Sequence, residues 1–196
     1  MTPKDLLQVK SENIVRMNAQ LHQQALEVLR SWTSKDDQQL FLRDEYIAFL
    51  EKHANGHLKD CDYGHLTASS LIVDPSLGRV LLTLHPKVSR WLQTGGHLED
   101  TDATLLDAAA REAHEESGIP SLVLSGVPVR LDKHLVPCRH GVFLHHFDVQ
   151  YVAAAPENSH EIISSESLDL MWFGWDELPE VDDSVRALVA AARTFI

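Results

Sequence analysis

The sequence predicts an α/β fold in which helices pack on a mixed β-sheet, preceded by a pair of N-terminal helices. Three observations predict it. Apolar residues recur at helical spacing through the first third of the chain, and from His65 onward they fall into strand-length runs. A short amphipathic helix closed by glycine and proline then sits among those strands, the intermixing expected of helices laid on a sheet. At 196 residues and 44% hydrophobic content, the chain is long enough to bury a core in one domain with an extension.

Ile14, Met17, Leu21, Val28 and Trp32 mark the first helix, and Leu42, Tyr46, Phe49 and Leu50 the second. Ser34 with Asp37 three residues on resembles a capping box for the second helix, and Asn55-Gly56 is expected to end it. Leu66 to Asp74 is expected as a strand, Pro75 to Gly78 as a turn and Arg79 to Leu84 as a second strand. A loop from Pro86 through Gly96 leads to a helix from about Ala103 to Ser117, with Gly118 just past its end and Pro120 beyond. Residues 127–136 and 142–153 alternate as two strands about Pro137 to Gly141. Leu168 to Trp175 forms another, and Asp182 or Asp183 caps a last helix along Val185, Leu188, Val189 and Ala192. The chain divides into a helical extension, 1–60, and a main domain, 61–196.

Charge narrows the partners. There are 29 acidic against 17 basic residues, a formal charge of −12. That excess opposes non-specific binding to nucleic acid or an anionic membrane. It permits a phosphorylated small molecule, provided a cation bridges it to the carboxylates. The N-terminal stretch MTPKDLLQVKSENIV lacks the apolar run of a secretory signal, and no segment approaches the ~20 apolar residues of a membrane span. Cys61 and Cys138 are too far apart for a CxxC motif, so a cytoplasmic protein with free thiols is expected.

The informative segment is Arg111-Glu112-Ala113-His114-Glu115-Glu116-Ser117-Gly118-Ile119. Glu112, Glu115 and Glu116, at i, i+3 and i+4, share roughly 100° of helix surface. Leu106, Ala109, Ala110 and Ala113 form an apolar stripe beside them, and Arg111 is placed to bind Glu115 one turn on. Three carboxylates this close repel, and the C-terminal end of a helix dipole disfavours them further. A hard divalent cation resolves the conflict, and oxygen ligands of this kind suit Mg²⁺ or Mn²⁺. An isolated E-x-x-E-E would be read as a solvated face. The preceding Gly95-Gly96 pair and the tight Gly118 stop favour a site instead, because glycines let the backbone approach an ion or phosphate.

Gly95-Gly96-His97-Leu98-Glu99 followed by this helix resembles the Nudix box, G-x5-E-x7-R-E-U-x-E-E-x-G-U, of the Nudix hydrolases. The resemblance runs from about His65 to the C-terminus, through Trp91-Leu92-Gln93 and Trp172-Phe173 to Asp176-Glu177-Leu178-Pro179. HLTASSLIVD, LLTLH and WLQTGGH are similar to a bacterial subgroup with an N-terminal helical extension. Counted from Gly96, the first box glutamate falls at Asp102, Arg111 follows after eight residues where the pattern has seven, and Thr94 stands where proline is common.

The resemblance implies a Nudix-type α/β/α sandwich with the box helix packed on a mixed sheet. It implies hydrolysis of the pyrophosphate bond of a nucleoside diphosphate linked to another group, by metal-assisted attack of water on phosphorus. By motif position, Glu112 and Glu116 are metal ligands and Glu115 is a ligand or the base. Arg111 orients a carboxylate, and the Gly96 carbonyl adds a ligand. A further family glutamate before a late strand falls best on Glu166, with Glu161 and Glu157 as competitors. The cofactor implied is Mg²⁺, with Mn²⁺ as the substitute. Two other readings accompany this one: a diphosphate isomerase of the same superfamily, which needs an active-site cysteine, and a non-catalytic nucleotide-binding regulator.

Twelve histidines remain to be placed. His146, Asp148 and Gln150 share one strand face, while Phe143, His145, Phe147, Val149 and Tyr151 share the other; Arg130, Asp132 and His134 share a face of the preceding strand. If the two strands pair, these polar residues line a substrate pocket or hold a second metal, with a hydrogen-bonded face as the plainer reading. His97, directly after the glycine pair, is a candidate for the pocket. His145 is expected to pack, and His22, His53 and His160 to lie on the surface. Arg79, Lys87 and Arg90 flank the box loop as ordinary solvated cations or phosphate contacts. The N-terminal helices offer a surface for a homodimer.

Overall fold

The computed structural model describes residues 3–137 and 143–195. Most of the expected turn at Pro137 to Gly141, with Cys138, lies outside them. The chain opens with α1 (Pro3–Ser31) and α2 (Asp37–Lys52), followed by β1 (His65–Asp74), β2 (Arg79–His85), β3 (Arg90–Leu92) and β4 (Thr94–His97). The box helix α3 (Leu105–Ser117) precedes β5 (Val123–Leu124), β6 (Arg130–Pro137), β7 (Phe143–Ala154), β8 (Asp169–Gly174) and α4 (Asp183–Phe195).

One mixed sheet holds all eight strands. β1 lies at its centre, antiparallel to β2 and β4 and parallel to β7. β2 also pairs with β3 and β8, and β7 with β5 and β6. The expected loop before the box thus contains two short strands. β4 is held by backbone pairing to β1, an interaction that the local Thr-Gly-Gly-His sequence does not announce.

Helices cover both faces. α1, α2 and α3 pack on one through Leu21, Leu29, Tyr46, Leu50, Leu105 and Ala109, against Leu66, Ala68, Leu131, Phe147 and Val149. α4 covers part of the other through Val185, Leu188 and Ala192, against Leu71, Val73, Val80, Leu82 and Val152. This is the α/β/α arrangement predicted. Each fully buried leucine or valine in these layers contributes ~1.5–3 kcal/mol of apolar burial.

The N-terminal pair is pinned to the sheet by polar contacts as well. Trp32 Nε1 donates to the Pro128 carbonyl at 2.6 Å, and Gln39 exchanges two hydrogen bonds with the Leu131 backbone at 3.1 and 2.8 Å. The Tyr46 hydroxyl donates to the Asp132 carbonyl at 2.6 Å, with the Asp148 carbonyl sharing the same hydrogen at 3.0 Å. Gln24 Oε1 on α1 accepts from Leu105 N, so the first helix helps to cap α3.

Several local expectations need correction. The N-cap of α2 is Asp36, whose carboxylate accepts from Gln38 N at 2.9 Å; Ser34 Oγ instead accepts from Asp36 N. α2 ends at Lys52 with His53 as C-cap, and Gly56 belongs to the next turn, where a Cβ would meet the Phe49 ring. Ile14 and Met17 are exposed, and among the described side chains of α1 the buried stripe begins at Leu21. Leu106 and Ala110 of the α3 stripe are only partly buried, and Leu105 and Ala108 complete its buried face. His53 is not a free surface residue but lies between Phe49 and Tyr63. His22 is half-buried against His57, and burial lowers its pKa.

Candidate active site

α3 begins at Thr104, whose hydroxyl accepts from Asp107 N, and stops at Gly118, which adopts φ +64° and donates from its N–H to the His114 carbonyl. Gly118 also admits a neighbour. A Cβ there would lie 2.7 Å from Ile162 Cβ, and Ile162 N donates to the Ser117 carbonyl at 2.7 Å. The loop before β8 is therefore strapped over the end of the box helix. Its other end is tied down by Leu168 N to the Leu84 carbonyl. Between these two anchors lies Glu166.

The strap closes a cleft of about 230 Å³ lined by Glu112, Glu115, Glu116, Ser164, Ser165 and Glu166. All three box glutamates and the sequence's first choice among the later acids are thus brought together. Glu161 is engaged elsewhere, accepting from Trp172 Nε1 at 2.7 Å.

Arg111 organises the acids. It donates to Asp102 from Nε and Nη2 at 3.0 and 2.9 Å, to Glu112 and Glu115 from Nη1 at 2.9 and 3.1 Å, and to the His97 carbonyl at 2.9 Å. The predicted Arg111–Glu115 pair forms, but the bidentate partner is Asp102, at the position of the first box glutamate. Asp102 is buried, accepts a further bond from Glu99 N at 2.8 Å, and so closes the lengthened loop onto the helix. These bonds and the nearby carboxylates raise the Arg111 pKa against the opposing effect of burial.

One arginine does not neutralise the cluster. Burial pushes the Glu116 carboxyl up to about 8, reinforced by the charges of Glu112, Glu166 and Glu115, with the Gly95 N–H acting in the opposite direction. Burial likewise raises Glu112, against the pull of Arg111. Glu116 Oε2 is buried with no hydrogen-bond partner. Gly96 faces the same acids, and a Cβ there would run into the Glu112 carboxylate. An unpartnered buried oxygen, several carboxylates and a side-chain-free strand position are what a hard divalent cation requires, so the residues fit Mg²⁺ or Mn²⁺.

The other face of the sheet is different. Because Gly96 points at Glu112, the next residue, His97, points the opposite way. β6 and β7 pair in the expected register, with Arg130 opposite Gln150, Asp132 opposite Asp148 and His134 opposite His146. Asp148 is buried and holds the floor of this face, accepting from Thr67 at 2.9 Å, Ser69 at 2.6 Å, Gln150 at 3.1 Å and Gln93 at 3.3 Å. His134 bonds Asp132 at 2.8 Å, which raises its pKa. Burial lowers His146 to about 3 and His65 to about 4, aided by neighbouring histidines, and lowers His97 too. His145 lies toward Phe147, on the packing side.

A NUDIX domain model matches residues 64–192, more than half of the chain. The chain belongs to the NUDIX family. Among solved structures, a NUDIX-family hydrolase from Clostridium perfringens is 24% identical with a TM-score of 0.53, over 67% of this chain and 98% of that one. The E. coli dihydroneopterin triphosphate pyrophosphohydrolase is 19% identical, with a TM-score of 0.51 over 63% and 91% of the two chains. A C. elegans Ap4A hydrolase binary complex is 16% identical, with a TM-score of 0.51 over 66% and 96%. At these identities the likenesses establish the fold. No curated protein matches the chain.

Within this NUDIX domain, sequence reasoning missed His65. It is 2% exposed, stands opposite His146 on the parallel neighbour, and is two residues from Thr67, the partner of His97. The signal was the alternation His65, Thr67, Ser69 on one strand face. Arg79, a candidate phosphate contact, is occupied by Asp74 and stacks on Trp172. Arg90 lines a separate cleft with Trp91 and Glu180. No described helix is long and apolar enough to cross a membrane.

Proposed function

We propose that this NUDIX protein hydrolyses the pyrophosphate bond of a nucleoside diphosphate linked to another group, by attack of water on phosphorus. The observation that carries the reading is the single cleft that gathers Glu112, Glu115, Glu116 and Glu166, with one buried Glu116 oxygen unpartnered. Glu112 and Glu116 would hold Mg²⁺, or Mn²⁺ in its place, with Glu115 and the Gly96 carbonyl completing the protein's share. The ion supplies charge neutralisation on the phosphate oxygens and a polarised water. Arg111 keeps Glu112 and Glu115 in register, so the site is pre-formed rather than assembled on binding. Glu166, opposite the box acids, takes the proton from water, with Glu115 as the other candidate base.

On the reverse face, His97, His134 and His146 face the group beyond the diphosphate, while Asp148 steadies Thr67 and Ser69 beneath them. The Ap4A hydrolase and the dihydroneopterin triphosphate pyrophosphohydrolase, by their names, act on phosphoanhydrides, which supports this substrate class. Cys61 is buried before β1, away from the cleft lining, which favours hydrolysis over cysteine-dependent isomerisation. Retention of Arg111 and of the three glutamates on the box helix, Glu112, Glu115 and Glu116, favours an enzyme over a regulator. The 1–60 extension is assigned a structural role, the exposed Ile14, Val15 and Met17 of α1 a homodimer contact, and the protein a cytoplasmic setting.

The deciding experiment screens nucleotide sugars, dinucleoside polyphosphates, ADP-ribose and nucleoside triphosphates with Mg²⁺ or Mn²⁺, alongside Glu115→Gln and Glu116→Gln. Metal-dependent release of a nucleotide product is expected, with Glu116→Gln lowering kcat by about 10²–10³-fold. Absence of turnover on every diphosphate, or variants as active as the parent, would rule the hydrolase out.

A further inference from the structure

The second cluster of metal-type ligands lies on the opposite face of β4 from the glutamates. We propose that His65, His97 and His146 hold a divalent transition-metal ion of the zinc class through three imidazole nitrogens, leaving one coordination position open to the polar face of the sheet. The three rings come from three strands that backbone pairing fixes. His65 on β1 stands opposite His146 on β7, and His97 on β4 opposite Thr67, two residues along β1. One ring nitrogen from each lies within 4.8 Å of the other two. Ring centroids are 4.6 Å apart for His65 and His146, 4.9 Å for His65 and His97, and 5.4 Å for His97 and His146.

A tetrahedral zinc with bonds of about 2.0–2.1 Å sets its nitrogens roughly 3.4 Å apart, within reach of small side-chain rotations from this arrangement. His97 is the most exposed of the three and has the most room to make them.

An independent observation points to a ligand. His65 is 2% exposed, yet neither of its ring nitrogens has a hydrogen-bond partner. Buried imidazoles are normally satisfied by a carbonyl, carboxylate or hydroxyl. The buried carboxylate on this face, Asp148, is committed to Thr67, Ser69, Gln93 and Gln150. His134, the other histidine here, is committed to Asp132. Beside His65 lie the imidazoles of His97 and His146, and a cation bound by one nitrogen from each would satisfy all three rings.

The donor sets of the two faces select different ions. Oxygen ligands on the glutamate side suit Mg²⁺ or Mn²⁺, whereas an all-nitrogen set suits Zn²⁺, Co²⁺, Ni²⁺ or Cu²⁺ and takes up Mg²⁺ poorly. Three protein ligands with one place open match catalytic or ligand-binding zinc sites rather than closed structural ones.

The test uses the full chain without a histidine tag, stripped with chelator and titrated with Co²⁺ in the presence of excess Mg²⁺. The expected result is one equivalent of Co²⁺ with the visible bands of tetrahedral geometry, displaced by Zn²⁺, and a rise in Tm on adding Zn²⁺. His97→Asn removes the bands and the Tm rise, while Glu116→Gln keeps both. Because His97 is exposed, its replacement decides the matter even if His146→Gln fails to fold. No stoichiometric Co²⁺ in the parent, binding that survives His97→Asn, or binding lost in Glu116→Gln would each overturn the proposal. Nothing in this readout involves turnover, so a failed hydrolase assay would leave it standing.

Discussion

The two faces of β4 hold their proposed cation ligands in opposite ways. On the Gly96 side, carboxylates crowd around one arginine, and burial with mutual repulsion pushes Glu116 up to about 8, so it binds a proton at neutral pH. On the His97 side, burial lowers His65 to about 4 and His146 to about 3, so the rings shed theirs. Both clusters are kept less charged than free side chains would be, one by taking up a proton and the other by losing it. A cation bound at Glu116 would therefore compete with a proton below about pH 8, whereas one bound at His65 and His146 would meet no such competition until acid pH. In both clusters burial favours the neutral side chain, and residue type decides whether a proton is taken up or released.

Four perturbations break or sharpen this contrast. Arg111→Ala should have the largest effect, because it leaves the buried Asp102 carboxylate and the Glu112 pair without a counter-charge. A loss of about 3 kcal/mol or more is expected in denaturant unfolding, with hydrolysis lost as well. Gly96→Ala comes next: its Cβ displaces Glu112, and a misplaced ligand should lower kcat about 10²-fold with little change in stability. Transition-metal binding by the histidines should persist in that variant, which a Co²⁺ titration would show.

A smaller effect, about tenfold or more in kcat, is expected for Glu166→Gln. Glu161→Gln should leave kcat near the parent value, since Glu161 is bonded to Trp172 outside the cleft lining; equal effects would remove the special place given to Glu166. The smallest is a pair of pH slopes in the metal-free protein. Between about pH 4.5 and 8 the folded state binds more protons at Glu116 than the unfolded chain does, so stability falls as pH rises through that window. Below about pH 6.5 the unfolded chain binds more protons at His65 and His146, so stability falls as pH drops. Thermal melts across pH should show both limbs, with Glu116→Gln flattening the first and His146→Gln the second.

The sequence was most legible where a short-range period carried the information. The α3 acids, the Gly118 stop and the two faces of β6 and β7 follow from spacings of a few residues, and the structure places them as expected. Two things depended on tertiary strand pairing. β3 and β4 exist as strands because β2 and β1 lie beside them. His65 joins His97 and His146 only through the registers of two strand pairs. The Asp36 cap replaced Ser34 because the helix began a residue or two later than the composition suggested, a local competition between neighbouring cap residues. Glu166 lay between these cases: its place before a late strand was readable, but the Ile162–Ser117 strap that brings it over the box helix was not.

The hydrogen bonds that pin α1 and α2 to the sheet have a consequence in time. Trp32, Gln39 and Gln24 bond residues 96, 92 and 81 positions further along. These helices are synthesised before the sheet they pack on, yet Leu21, Leu29 and Leu50 lack their partners on β6, β7 and α3 until those have been made. Helices made before the sheet thus find their place only after its later strands exist. Pulse-labelled hydrogen exchange during refolding should show amide protection in α2 no earlier than in β6.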